Sequence, residues 1–200
     1  MPRKRNVETE AKIAASATAL FCREGYVDTT MAAIAKGAGV AVQTLYLRHG
    51  SKAAILSAAL DIAVAGDAEP ITVTNRDLYQ RALAEPDAAT ALADFAVFVR
   101  AICDRTHLLY DVIRSAAADP EVAEVLEKNR QERATGIRAF ADVLSTRDRY
   151  DVEVPVQRAA DLIYVLGTED GYLSFVLDRG WTPDEWEHWL VDTLTAQLLR

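Results

Sequence analysis

Only two cysteines, Cys22 and Cys103, occur in 200 residues. That excludes a disulfide framework and a four-thiolate zinc site. A reducing cytoplasm is the expected setting. Histidine is nearly as scarce, with three, and with the cysteines it makes no zinc-ligand spacing. Long apolar runs are also missing. The longest stretch without Asp, Glu, Lys or Arg is Gly37 to Leu47, 11 residues, against the ~20 of a membrane-spanning helix. The start of the chain has the basic-then-apolar order of a secretory leader. Glu8, Glu10 and Lys12 interrupt it, and bulky Phe21 stands where cleavage needs a small residue, so a leader is not expected. No phosphate-cradling glycine loop and no nucleophile elbow occurs. Neither a catalytic residue nor a cofactor is expected.

What the chain has is apolar mass and an uneven charge. Half of the residues are hydrophobic, enough for a sizeable core. The net charge of −8 argues against a generally basic nucleic-acid binder. Yet residues 1–55 hold eight Lys/Arg against four Asp/Glu, while residues 56–200 hold 14 against 26. The split suggests a basic module that meets polyanions, joined to an acidic module with another task.

The pattern is all-α, with about nine helices and no convincing strand. Ile13, Ala17, Leu20 and Phe21 share one helical face, and Gly25 caps that helix. Thr29 or Thr30 can cap a second short helix bearing Met31, Ile34, Ala35 and Ala38. Gly37 and Gly39 break it. A third short helix runs over about 42–48, and Ser51 caps a fourth. Residues 67–75 read as a loop. Longer helices follow over 87–104, over 106–118, after Asp119-Pro120, from Pro155 through Leu177, and after Gly180-Trp181-Thr182-Pro183. Residues 145–154 read as a polar loop.

Residues 29–48 have the grammar of a helix-turn-helix. Gly39 supplies a turn that a Cβ would resist, and Val40 plugs the angle between the helices. The second helix then shows Val42, Gln43, Thr44 and Tyr46 outward, uncharged side chains able to reach base edges and phosphates. Leu20-Phe21, Gly25-Tyr26, Thr29-Thr30-Met31, Ile34-Ala35, Ala38-Gly39-Val40, Thr44-Leu45-Tyr46 and Ser51-Lys52 stand in the order and spacing of one known domain. The segment resembles the N-terminal domain of the tetracycline-repressor (TetR) family. The likeness covers about the first quarter of the chain. Beyond it the chain is similar only in architecture. Arg48-His49 stands where the family commonly has His-Phe, and Ala41 where it commonly has Ser.

The resemblance implies an N-terminal DNA-binding domain, residues 1–55, and a C-terminal regulatory and dimerisation domain, residues 56–200. It implies that Gln43, Thr44 and Tyr46 carry most of the contact from the recognition helix, with Val42 against thymine methyls. Lys52 is expected at a phosphate, where a helix N-terminus adds amide donors. Thr30 is expected to touch a phosphate as well as cap its helix, and His49 to face the DNA backbone. Arg3, Lys4 and Arg5 form a tail that lies along a groove or merely adds charge.

One such module reads only a few base pairs, so a two-fold pair on a palindromic operator in double-stranded DNA is expected. The homodimer is assigned to the last two long helices: Gly167 and Gly171 permit close approach, and Trp186, Trp189, Leu190, Leu194 and Leu198 offer an apolar face. By resemblance a small-molecule effector, largely apolar, releases the DNA and makes the chain a repressor. Polar or aromatic residues that interrupt apolar stripes are the candidate lining: Phe95, Phe98, Cys103, His107, Tyr110, Asn129, Arg133, Tyr164, Thr168 and Tyr172. Two alternatives stay open. One is a helical metal-dependent enzyme built on Glu185-x-x-His188 and Asp104-x-x-His107. The other is a DNA-binding regulator that needs no ligand.

Overall fold

A computed structural model describes the backbone of residues 2–200 and the side chains of residues 6–200. Ten α-helices follow one another: α1 Pro2–Asp28, α2 Met31–Ala38, α3 Val42–His49, α4 Lys52–Ala65, α5 Asp77–Ala84, α6 Ala88–Ser115, α7 Pro120–Leu144, α8 Val156–Leu166, α9 Glu169–Leu173 and α10 Pro183–Leu198. Among the described residues no strand forms, only an isolated bridge between Tyr150 and Leu199. The all-α expectation holds, with one helix more than counted from sequence.

The chain divides into two compact units. Residues 1–70 and 108–129 form one, and residues 71–107 and 130–200 the other. Each has its own apolar core. In the first, Ile13, Ala17 and Phe21 of α1 meet Ile34 and Ala35 of α2, Leu45 of α3, and Ile55, Leu56 and Leu60 of α4. Leu109, Ile113, Val122 and Leu126 complete this core from the later segment. Each such fully buried side chain contributes about 1.5–3 kcal/mol relative to exposure.

The helix-turn-helix is set by three local devices. Gly25 breaks α1 with φ 79 and ψ 168, after which Thr29 returns its hydroxyl proton to the Gly25 carbonyl at 2.7 Å. Thr30 caps α2, accepting from the Ala33 amide at 3.1 Å. Gly39 takes φ 67, a left-handed conformation costly for any residue with a Cβ, and so turns the chain from α2 into α3. Gly37 does something different. A Cβ there would lie 2.2 Å from Ser16 Oγ, which donates to the Ile34 carbonyl at 2.9 Å. The glycine lets α1 and α2 touch closely enough for that bond.

In the second unit Phe95 of α6 stacks on Phe140 of α7 at 4.0 Å between ring centroids. Tyr79 of α5 meets both Phe95 and Phe98 edge-on and donates to the Gly136 carbonyl at 2.8 Å. Trp186, Leu190, Leu194 and Leu198, four apart on α10, all point into this core. Thr182 and Glu185 close a reciprocal capping box at the start of α10, with Pro183 in the first turn.

Three elements differ from the sequence reading. Helix α5 went unnoticed, because eight residues give too short a window for a periodic pattern. The two helices expected over 87–104 and 106–118 are one, α6; Thr106 does not stop it because its hydroxyl bonds the Ile102 carbonyl at 2.9 Å. The single helix expected from Pro155 through Leu177 breaks at Gly167, and Thr168 starts α9 by accepting from the Gly171 amide at 3.0 Å. A π turn, Ser174–Asp178, follows.

Candidate nucleic-acid interface

Helix α3 is eight residues long, and Leu45 is the side chain that buries it. At 100° per residue, one buried position at the centre forces its neighbours outward. Val42, Gln43, Tyr46 and Leu47 are all exposed, with Tyr46 at 55% and Leu47 at 88%. Thr44 is half-buried. The outward disposition expected of Val42, Gln43 and Tyr46 is therefore what the fold presents. Leu47 was missed. Its signal was available: it stands four residues after Gln43, hence on the same face. Ala41, at the N-cap of α3, has no side chain to satisfy the first amides.

Thr30 is exposed at the start of α2, with its oxygen accepting from Ala33. As an acceptor in the cap, its hydroxyl keeps a proton to give elsewhere. Lys52 is placed differently from the expectation. Its ammonium donates to the carbonyls of Tyr26 (2.6 Å), Val27 (3.1 Å) and Thr29 (2.9 Å), and sits 4.3 Å from the Tyr26 ring centroid. An ammonium has three protons, and here three carbonyls at the end of α1 use them. Burial draws the Lys52 pKa below its ordinary value, against the pull of Asp119 and Asp28. Burial, with Asp119 and Glu121, pushes the Tyr26 phenol up to about 12.

His49 also turns away from the outer face. Its side chain is 10% exposed and its Nε2 lies 3.1 Å from Glu10 Oε2. The neighbouring Arg48 binds Asn6 and the same Glu10. The pair that replaces His-Phe thus fastens the end of α3 to α1: the ring fills space, and the guanidinium finds a carboxylate. The tail side chains Arg3, Lys4 and Arg5 lie outside the described residues.

The ten candidate effector residues are shared between the two units. Tyr110 and Asn129 belong to the first unit and the other eight to the second. Phe95 and Phe98 sit in the aromatic core with Tyr79 and Phe140. The remaining six surround a polar cluster. Arg133 Nη1 pairs with Glu169 Oε2 at 2.8 Å, with side chains only 18% and 4% exposed, and the guanidinium lies 4.2 Å from the Tyr164 ring centroid. Tyr172 donates to the Asp104 carboxylate, and its ring stands 5.8 Å from His107. His107 Nδ1 bonds the Cys103 carbonyl at 2.9 Å. Burial raises the Cys103 thiol well above its ordinary pKa, so it is a packing group rather than a nucleophile. Burial and the bond to Asp104 likewise raise the Tyr172 phenol. Glu169 was not foreseen. It follows the break at Gly167 and Thr168, in the first turn of α9, where it is buried.

The dimer face expected on α10 needs correction. Trp186, Leu190, Leu194 and Leu198 are buried within their own unit, because α10 packs its four-residue stripe inward. Gly167 and Gly171 also serve the chain's own packing: a Cβ on Gly167 would come within 3.3 Å of Val99 Cγ1, and one on Gly171 within 3.2 Å of Thr168 Oγ1. Of the expected residues, Trp189 remains partly exposed, in a stack with Phe175 (4.7 Å) and Trp181 (6.5 Å). Glu185 spends its carboxylate on the capping box, and His188 Nδ1 bonds the Asp184 carbonyl at 2.6 Å. Among the described residues no three His, Cys, Asp or Glu group as metal ligands would, and no helix is long and apolar enough to cross a membrane.

A short helix pinned by one leucine, with its uncharged face outward after a glycine turn, defines a helix-turn-helix DNA-binding module. Residues 13–59, about a quarter of the chain, match the family model for bacterial regulatory proteins of the tetR family. No curated protein sequence matches the chain. Solved structures do, over nearly the whole length. NalD, the secondary repressor of the MexAB-OprM multidrug efflux pump in Pseudomonas aeruginosa, is 19% identical with a TM-score of 0.72, over 96% of both chains. A Syntrophomonas wolfei protein described as a TetR-family transcriptional regulator is 16% identical with a TM-score of 0.78, over 96% of this chain and 95% of that one. The fatty acid degradation regulator FadR of Bacillus halodurans is 15% identical with a TM-score of 0.66, over 92% and 93%. At these identities the likeness establishes the fold, and the fold is that of TetR-type regulators.

Proposed function

We propose that the chain is a sequence-specific DNA-binding transcriptional regulator that represses from a palindromic operator and is released by a small molecule. The observation that carries this reading is the outer face of α3. Val42, Gln43 and Tyr46 stand exposed on a helix whose inner contact is Leu45, within the segment that matches the tetR family model. Gln43 offers the amide that pairs with adenine, Tyr46 a phenol for base or phosphate, and Val42 a surface for a thymine methyl. Thr44 contributes from the flank, and Thr30 gives its remaining proton to a phosphate. Lys52 and His49 act on DNA through the frame they hold, since their polar atoms face α1.

One α3 covers too few base pairs for specificity, so two chains bind together with their recognition helices about one helical turn apart. The self-association surface is the outer side of the last helices, where Val165 and Leu177 are exposed and the rings of Phe175, Trp181 and Trp189 cluster. Effector binding is assigned to the second unit, around the Arg133–Glu169 pair with Tyr164, Thr168, Tyr172 and His107. A buried ion pair beside a broken helix is a costly arrangement, and such sites are where ligands bias a conformational equilibrium. The fold is shared with NalD and FadR, whose names describe a repressor and a regulator, and that supports the regulatory reading.

Selection of duplexes from a random pool by the purified chain tests this. An inverted repeat is expected, and Gln43→Ala should weaken its binding about tenfold or more. Affinity should fall steeply with salt. A chain that enriches no sequence, or binds every duplex equally at physiological salt, would defeat the proposal.

A further inference from the structure

Opposite Leu45 on α3 the two outermost positions are Gln43 and Leu47, roughly 160° and 200° away at 100° per residue. Leu47 is 88% exposed. An isolated exposed leucine needs no explanation, but this one belongs to a face without charge. The residues flanking this face, Tyr46 and Thr44, are neutral, and the two basic side chains nearest the end of α3 are engaged elsewhere. Arg48 is held by Asn6 and Glu10, and Lys52 by three carbonyls. Guanine is most often read by Arg or Lys reaching its O6 and N7. This face supplies neither. It supplies one amide that fits adenine and aliphatic groups that fit the C5-methyl of thymine.

We infer that Leu47 is a specificity-determining residue of α3, packing on a thymine methyl, and that the centre of each half-site is therefore A·T. The inference rests on the DNA-binding reading above. Four residues of helix rise about 6 Å, close to two base-pair steps of ~3.4 Å. The thymine read by Leu47 thus lies about two base pairs from the adenine held by Gln43.

The test uses the full chain and the duplex it selects from a random pool. Each thymine in turn is replaced by deoxyuridine, which lacks only the methyl group. Wild-type affinity should fall about fourfold at the position read by Leu47, the worth of one buried methyl group. Leu47→Ala should bind the selected duplex about tenfold more weakly and be indifferent to uracil at that position. Its affinity for unrelated duplexes at the same salt should be unchanged. An alanine at so exposed a helical position leaves the fold intact. A selected half-site with a G·C centre would overturn the inference, as would uracil sensitivity that survives at every thymine in Leu47→Ala. Failure of the wild type to select any site would overturn the DNA-binding reading and this inference with it. Selection of a site with no uracil effect would overturn this inference alone.

Discussion

Around the helix-turn-helix of the first unit, three polar side chains find main-chain carbonyls. Ser16 donates to Ile34, Thr29 to Gly25, and Lys52 to three carbonyls at the end of α1. In the second unit, three donors take carboxylates brought from far along the chain. Arg133 meets Glu169 across 36 positions, Tyr172 meets Asp104 across 68, and Arg100 meets Glu187 across 87. The difference has a physical lesson. Carbonyls left over at a helix end are supplied by the fold itself, so a hydroxyl or ammonium nearby is satisfied wherever the helix stops. A carboxylate partner must be brought from afar, and its absence leaves a bare charge in a poorly solvated place.

Arg133→Ala should break this contrast hardest. Glu169, 4% exposed, would lose its counter-charge, and the second unit should lose about 3–5 kcal/mol in urea unfolding. Tryptophan emission is a clean probe, because Trp181, Trp186 and Trp189, the three tryptophans of the chain, all lie in that unit. Arg133→Met combined with Glu169→Leu should regain most of the loss. A double variant as weak as the single one would show that shape, not charge, governs the site.

Gly37→Ala tests the first unit. The new Cβ would sit 2.2 Å from Ser16 Oγ, and overpacking of this kind costs about 2 kcal/mol. Ser16→Ala in the same chain should return part of it, read by far-UV circular dichroism during denaturation. Lys52→Met is milder. Losing its bonds to carbonyls should cost about 1–2 kcal/mol. The salt dependence of DNA binding should stay as in the wild type, because this ammonium faces α1. A salt slope reduced by about one unit would instead make Lys52 a phosphate contact.

The smallest effect belongs to the cap of α10. Thr182→Ala should destabilise the second unit by about 1 kcal/mol. The main-chain and hydroxyl hydrogen bonds from Thr182 hold the Glu185 carboxyl below its ordinary pKa. Stability from that bond is therefore present above the ordinary carboxyl pKa and lost as the pH falls through the lowered one. The gap between wild type and Thr182→Ala should narrow on acidification, and a gap constant down to acid pH would remove the carboxylate from the account.

The same contrast explains what could be read from the sequence. The caps Thr30, Ser51 and Thr182 and the turn at Gly39 depend on neighbours within a few residues, and all were legible. So was the outward set Val42, Gln43 and Tyr46, since a helix needs only one inward anchor to fix its other faces. The partners of His49 and Lys52 were not legible, because Glu10 and the carbonyls of Tyr26, Val27 and Thr29 lie 23 or more residues away. The stripe of α10 was read correctly as a stripe. Sequence could not say whether its mate was α8 and the π turn of the same chain or another molecule. Glu169 was invisible for a further reason: its partner Arg133 lies 36 residues away, and it follows a break between Gly167 and Thr168 that the apolar pattern runs straight through.

The later segment inside the first unit also bears on how this protein can be divided. Leu109, Ile113, Val122 and Leu126 close over the apolar surfaces of α1 and α4. A gene fragment stopped after Pro70 would encode every residue of the helix-turn-helix, yet leave that surface facing water. Such a fragment should be sticky and poorly folded rather than a portable operator reader. Anyone grafting this specificity onto another regulator must carry a lid borrowed from the middle of the chain.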